Sequence, residues 1–184
     1  MKDFTQIYVS GKGIPEYINN LGKDLIGLEL GVWTGENFCY LLQSCPNIKT
    51  LYGIDPYKPY MDWNRMIDEE FITNVKNTAF DNIYNHTGEL QNKVHFFEDY
   101  ADNVLNSIPD NSLDFIFIDG DHSYEYAKND ITKWWSKVKV GGLFSGHDFS
   151  LPGVTKALKE FREENNIATR YKFCDNDVWL WYKE

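Results

Sequence analysis

Short continuous apolar runs alternate along this chain with segments whose apolar positions return every three or four residues. Leu25-Ile-Gly-Leu-Glu-Leu30, Thr50-Leu-Tyr-Gly-Ile54, Lys93-Val-His-Phe-Phe97, Ser112-Leu-Asp-Phe-Ile-Phe-Ile118 and Leu143-Phe-Ser-Gly146 are of the first kind. Runs this brief, bounded by turn residues, read as strands buried on both faces. Residues 36–43, a stripe through Ile67, Phe71, Val75, Ala79 and Ile83, and a face of Ala127, Ile131, Trp134 and Val138 read as helices with one apolar side. Pro152 opens a last helix that gathers Val154, Ala157, Leu158 and Phe161, and Ser123 stands as N-cap of the helix before it. Strand–helix alternation predicts an α/β fold, a mostly parallel sheet with right-handed crossovers and helices on both faces. Two final runs, 169–174 and 178–182, are joined by Asp175-Asn-Asp177. They predict an antiparallel C-terminal hairpin, which brings the sheet to seven strands.

No internal repeat or low-complexity tract interrupts the pattern, so residues 1–184 are expected to form a single domain. Residues 1–24 make an N-terminal arm. In it Ser10-Gly-Lys-Gly13 reads as a flexible link, and Pro15 opens a short helix reaching Leu21 before Gly22. Packing is the arm's expected role. Residues 57–92 form a helical insertion that ends at Gly88. The stretch ahead of its helix, Tyr57-Lys-Pro-Tyr-Met-Asp-Trp63, is aromatic and too irregular for a core element. Such a loop is a candidate substrate cover.

Composition narrows the function classes. A 42% hydrophobic share with 16% aromatic residues belongs to a folded globule, with aromatics to spare for a pocket. Acidic residues outnumber basic ones 28 to 18, a net charge of −10 with no basic run, which argues against a nucleic-acid partner. An acidic cleft instead favours a cationic ligand or a metal. Cys39, Cys45 and Cys174 have no metal spacing and leave one unpaired, as expected in a reducing cytoplasm. With no signal pattern and no apolar run near about 18 residues, a membrane partner is not expected. A homo-oligomer is left open.

Chemistry-bearing residues collect at the ends of the strands, where open α/β sheets bind ligands. Glu29-Leu-Gly31-Val-Trp-Thr-Gly35 turns the first strand into the first helix. A dinucleotide binder needs G-x-G-x-x-G here; two glycines four apart fail that fingerprint. Gly31 still allows close backbone approach by a cofactor without phosphates. The E-x-G-x-x-x-G pattern resembles the first motif of class I S-adenosylmethionine-dependent methyltransferases. The resemblance implies a Rossmann-like methyltransferase fold with S-adenosylmethionine as cofactor. It implies Glu29 at the cofactor's amino group, Gly31 and Gly35 in the turn, Asp55 on the ribose hydroxyls, and Tyr100 and Ala101 at the adenine, with Asp119 facing the same cleft.

Leu113-Asp-Phe-Ile-Phe-Ile-Asp-Gly-Asp-His-Ser-Tyr-Glu125 and Gly141-Gly-Leu-Phe-Ser-Gly-His-Asp148 narrow the resemblance. They are similar to a subfamily of small phage and bacterial methyltransferases and to metal-dependent O-methyltransferases acting on sugar hydroxyls. That likeness, over roughly residues 25–149, implies a divalent metal, Mg²⁺ in those enzymes, held by Asp119 and Asp148. His147 stands where they carry an acidic ligand. An imidazole there shifts preference towards a transition metal, since hard cations prefer oxygen; a hydrogen-bonded strand-end residue is the alternative. His122 or Asp121 is the implied general base. A sugar hydroxyl is a poor nucleophile at neutral pH, so a metal to lower its pKa and an imidazole to take its proton form a coherent set. The expected function is therefore a metal-assisted O-methyltransferase acting on a small hydroxylated acceptor, a sugar or glycoside. Two other readings compete. Asp119-Gly-Asp121 matches the D-x-D clamp of a nucleotide-sugar glycosyltransferase, which leaves Glu29, Gly31 and Gly35 without a role. A non-catalytic cofactor-binding subunit is the third.

Overall fold

The computed structural model describes residues 2–62, 65–175 and 177–184. The strands are β1 (Leu25–Leu30), β2 (Ile48–Ile54), β3 (Tyr60–Asp62), β4 (Arg65–Ile67), β5 (Val94–Phe97), β6 (Leu113–Ile118), β7 (Val138–Gly146), β8 (Lys172–Cys174) and β9 (Val178–Tyr182). Seven of them form one sheet in the order β5-β2-β1-β6-β7-β9-β8, and β3 pairs only with β4. The first five positions run parallel. β9 is antiparallel to β7, and β8 is antiparallel to β9. The chain steps outward from β1 to β2 and β5, then returns to β6 on the other side of β1. The sheet therefore has its topological switch point between β1 and β6, where the outward loops part and leave a crevice.

The helices are α1 (Ile14–Ile18), α2 (Glu36–Ser44), α3 (Glu69–Phe80), α4 (Ala101–Val104), α5 (Tyr124–Trp134) and α6 (Pro152–Glu164). Alternation along β6 feeds two cores. Phe115 and Phe117 point to the face covered by the arm, α1 and α2, and pack with Phe4, Ile14, Phe38 and Leu41. Ile116 and Ile118 point to the face covered by α5 and α6, with Ile131, Trp134, Phe144, Phe161, Trp179 and Trp181. Among the described residues no helix is long and apolar enough to cross a membrane.

Several expected details differ. Ile67 ends a strand and Asp68 caps α3, accepting the Phe71 N–H at 2.8 Å, so the helical stripe starts later. Its buried members are Ile72, Val75 and Ala79, while Phe71 is 38% exposed. A strict four-residue spacing drifts around a helix of 3.6 residues per turn, which is why the face shifts. Beyond Phe80 the chain widens into a π turn over Asp81–Asn85, then a 3₁₀ turn over Gly88–Lys93. Part of the aromatic link pairs as β3 with β4; Trp63 lies outside the described residues, as does Asn176 of the hairpin turn. α1 stops at Ile18, three residues short of Leu21. β7 begins at Val138, before Gly141, which takes φ +80° beside a register shift against β6. Val138 accordingly belongs to that strand and not to the helix before it.

Candidate active site

The crevice is built from backbone first. Gly31 follows β1 with φ +79°, and a Cβ on it would sit 2.2 Å from the Asp119 carbonyl oxygen. Only glycine satisfies both constraints. Gly35, at φ +75°, caps α2. Between them Trp33 adopts φ +51°, a left-handed conformation unusual for a bulky residue. Asp55, at the end of β2, holds the loop in that shape. Its Oδ2 accepts the N–H groups of Val32 and Trp33, both at 3.0 Å, and its Oδ1 accepts that of Tyr57 at 2.9 Å. The Tyr57 hydroxyl closes the ring by donating to the Trp33 carbonyl at 2.9 Å. Burial pushes the Asp55 carboxyl up, and the three N–H groups draw it back.

Glu29 lies beneath this loop at 1% exposure, with Oε2 lacking a hydrogen-bond partner among the described residues. Burial, and then the negative charge of Asp119, push its carboxyl well above the ordinary range; the Asn37 amide opposes them. A buried acid without a full set of partners is a receptor for a cationic donor. That suits the amino group of S-adenosylmethionine.

At the ends of β6 and β7, one carboxylate joins two imidazoles. Asp148, itself at φ +60°, has Oδ2 3.0 Å from His122 Nδ1 and Oδ1 3.1 Å from His147 Nδ1. The His122 contact is close but not an aligned hydrogen bond, since among the described residues Nδ1 has no partner of good geometry. Burial alone would raise Asp148; the two imidazoles outweigh it and hold the carboxyl well below the usual range. Asp148 in turn raises His122 against the effect of burial. His147 faces Asp119 Oδ1 at 3.6 Å. Burial lowers the His147 pKa, but Asp148 and Asp119 more than offset this and leave it raised. Burial pushes Asp119 up to about 6, against the pull of His147 and of a hydrogen bond from Ser10. Asp119, His147 and Asp148 each offer one ligand atom, and these lie within 4.8 Å of one another. Two carboxylate oxygens and an imidazole nitrogen form a fitting partial shell for a divalent cation.

The other expected residues are placed less centrally. Tyr100 is 50% exposed and begins α4, and Ala101 packs on the second core. Asp121 is exposed and turns back so that Oδ1 accepts the Ser123 N–H at 2.8 Å. It is not among the clustered ligand atoms of Asp119, His147 and Asp148, but it lines the same pocket as His122 and its charge helps to raise that imidazole. Ser123 occupies the N-cap position of α5 without a side-chain capping bond.

Sequence reasoning missed the arm. Ser10 donates its hydroxyl to Asp119 Oδ2 at 2.7 Å across 109 positions of sequence. Gly11 donates its N–H to Asn37 Oδ1 at 3.0 Å, Tyr40 donates to the Lys12 carbonyl at 2.7 Å, and the Gly13 N–H is bound by Asp175. Ser10-Gly-Lys-Gly13 is thus a turn hydrogen-bonded to other elements on all four residues. Its two glycines suggested freedom; its partners lie on other elements, beyond any local signal.

Comparison with known proteins agrees with this architecture. A sequence profile described as a methyltransferase domain matches residues 28–149, 122 of the 184 residues. An uncharacterised protein of Acanthamoeba polyphaga mimivirus is 28% identical over 148 residues, 76% of this chain and 62% of that protein. The chain thus spans less than two thirds of that relative's length. The O-methyltransferase NovP superposes with a TM-score of 0.69 at 22% identity, covering 94% of this chain and 80% of that one. The O-methyltransferase TomG from Streptomyces achromogenes, solved in complex with SAM, gives 0.65 at 13% identity over 95% and 79%. The chain belongs to the methyltransferase-domain family.

Proposed function

We propose that this class I methyltransferase transfers a methyl group to a hydroxyl of a small molecule, a sugar or glycoside, with the help of a divalent cation. The observation that carries the reading is Asp119, His147 and Asp148 gathered beside the glycine loop, with His122 held against Asp148. When bound, the cofactor supplies an electrophilic methyl on a sulfonium sulfur, and the cation supplies positive charge that lowers a hydroxyl's pKa. Glu29 receives the cofactor's amino group. Gly31 and Gly35, both at positive φ, shape the turn beside it, Tyr100 and Ala101 flank the adenine, and Asp55 offers the ribose the one lone-pair site its three N–H donors leave free. Asp119, Asp148 and His147 hold the cation.

His122 is the base. Its Nδ1 is turned to Asp148, which leaves Nε2 to accept the acceptor's proton, and the carboxylate then stabilises the imidazolium. Asp121, whose Oδ1 accepts the Ser123 N–H, supports His122 with its charge. The 57–92 insertion is the proposed acceptor cover, and it offers the exposed apolar side chains of Met61 and Met66, 57% and 59% exposed.

Calorimetric titration with S-adenosylmethionine tests the core of the proposal: saturable binding is expected, and none at millimolar cofactor would reject it. Against an acceptor panel, a chelator, Asp119→Ala and Asp148→Ala are each expected to lower turnover at least about tenfold. Unchanged turnover in all three would reject the metal. A glycosyltransferase would instead bind a nucleotide-sugar, and a non-catalytic subunit would bind cofactor yet be indifferent to His122→Ala.

A further inference from the structure

We infer that Ser10, carried in from the N-terminal arm, is a positioning residue for the metal centre: its hydroxyl fixes the Asp119 carboxylate so that Oδ1 stays directed at the cation. The inference rests on the metal reading above. Among the described residues, the hydrogen bond to the Asp119 side chain comes from Ser10, at 2.7 Å to Oδ2. The other oxygen, Oδ1, is the one nearest His147, at 3.6 Å. One oxygen is thus tethered while the other faces the remaining ligands. A ligating carboxylate held by an outer hydrogen bond keeps its orientation without reorganising on metal entry, and loss of such a partner commonly weakens metal binding by about 10–100-fold.

The arm is built to deliver that hydroxyl. Val9 is 5% exposed in the first core, and Gly11 is buried and bonded to Asn37. A Cβ on Gly11 would lie 2.7 Å from Asn37 Oδ1 and 3.3 Å from the Phe117 ring, so the turn sits flush on β6 and α2. Lys12 and Gly13 are pinned by Tyr40 and Asp175. Ser10 therefore reaches Asp119 from a packed and hydrogen-bonded support.

The test measures Mn²⁺ binding directly, by calorimetry and by the loss of free-ion electron paramagnetic resonance signal, on the purified full chain. Ser10→Ala is expected to bind Mn²⁺ at least about tenfold more weakly than wild type, with an unchanged melting midpoint. Ser10→Thr, which keeps the hydroxyl, is expected to restore affinity to within about threefold. Tyr40→Phe, which removes one contact to Lys12 but leaves the buried Phe4 and Val9 and the Ser10 bond in place, is expected to bind as wild type does. Equal affinity in wild type and Ser10→Ala would overturn the inference, as would equal weakening by Tyr40→Phe, which keeps the Ser10 hydroxyl on Asp119. No Mn²⁺ binding by wild type would remove the metal reading itself and this inference with it.

Discussion

Glu29 is a carboxyl that the fold keeps dry at 1% exposure and raises well above its ordinary value of 4.5, through burial first and the neighbouring Asp119 second. Between that ordinary value and its folded one, the native protein holds a proton that the unfolded chain has released. Native stability therefore falls as pH rises through the interval. Glutamine mimics the protonated form and does not titrate. Glu29→Gln should raise the melting midpoint by a few degrees, more at about pH 8 than at about pH 5, read by calorimetry at both. The same change should weaken S-adenosylmethionine at least about tenfold, because a hydrogen bond to a charged group contributes roughly 1.5–3 kcal/mol. A midpoint gain that is flat with pH would mean that the carboxylate is not desolvated as described. Glu29 was legible because a strand end followed by two spaced glycines is a local pattern. The nest around Asp55 was not legible, since its partners are backbone N–H groups of Val32, Trp33 and Tyr57, which leave no trace in side-chain identity. Ser10 was hidden for a different reason: its partner is 109 positions away.

Elements carry a second layer of control, clearest where α6 meets the loop after β6. Gly153, in the first turn of α6, lies so close to that loop that a Cβ would stand 2.5 Å from the His122 carbonyl oxygen and 2.9 Å from the Tyr124 nitrogen. Both contacts are to backbone, so the helix and the loop would have to separate. Gly153→Ala should displace His122 from Asp148 while leaving Glu29, Gly31 and the β1–β2 side untouched. The expected outcome is a kcat lower by about tenfold or more with cofactor affinity within about twofold, from initial rates and calorimetry. Cofactor affinity falling in parallel would mean that the two halves of the crevice are not independent. The helix start at Pro152 and its face of Val154, Ala157, Leu158 and Phe161 were readable, because proline and period are local. The start of α3 was not: whether Ile67 begins a helix or ends a strand depends on Asp68 capping the helix and on Ile67 pairing with Tyr60.

For the whole molecule, strand–helix alternation predicts the parallel run β5-β2-β1-β6-β7, which puts Asp55, Asp119, His147 and Asp148 on one rim. What alternation does not reveal is that the sheet's two faces serve the site unequally. The arm is part of the first core: Phe4 is fully buried and Val9 nearly so. The second core meets the N-terminal end of β6 through Leu113, also fully buried but at the opposite end of that strand from Asp119. Phe4→Ala and Leu113→Ala should each cost about 3–5 kcal/mol, a drop of roughly 6–20 °C in melting midpoint for a chain of this size. Their effects on the site should diverge. With both variants held well below their midpoints, Phe4→Ala loosens the support that delivers Ser10 and should weaken Mn²⁺ several-fold. Leu113→Ala leaves that support in place and should bind Mn²⁺ as wild type does, because well-separated sites act independently. Equal loss of Mn²⁺ affinity in the two variants would mean that global stability, and not the arm, governs the centre; loss confined to Phe4→Ala would trace the metal site's geometry to the face of the sheet on which the N-terminus is packed.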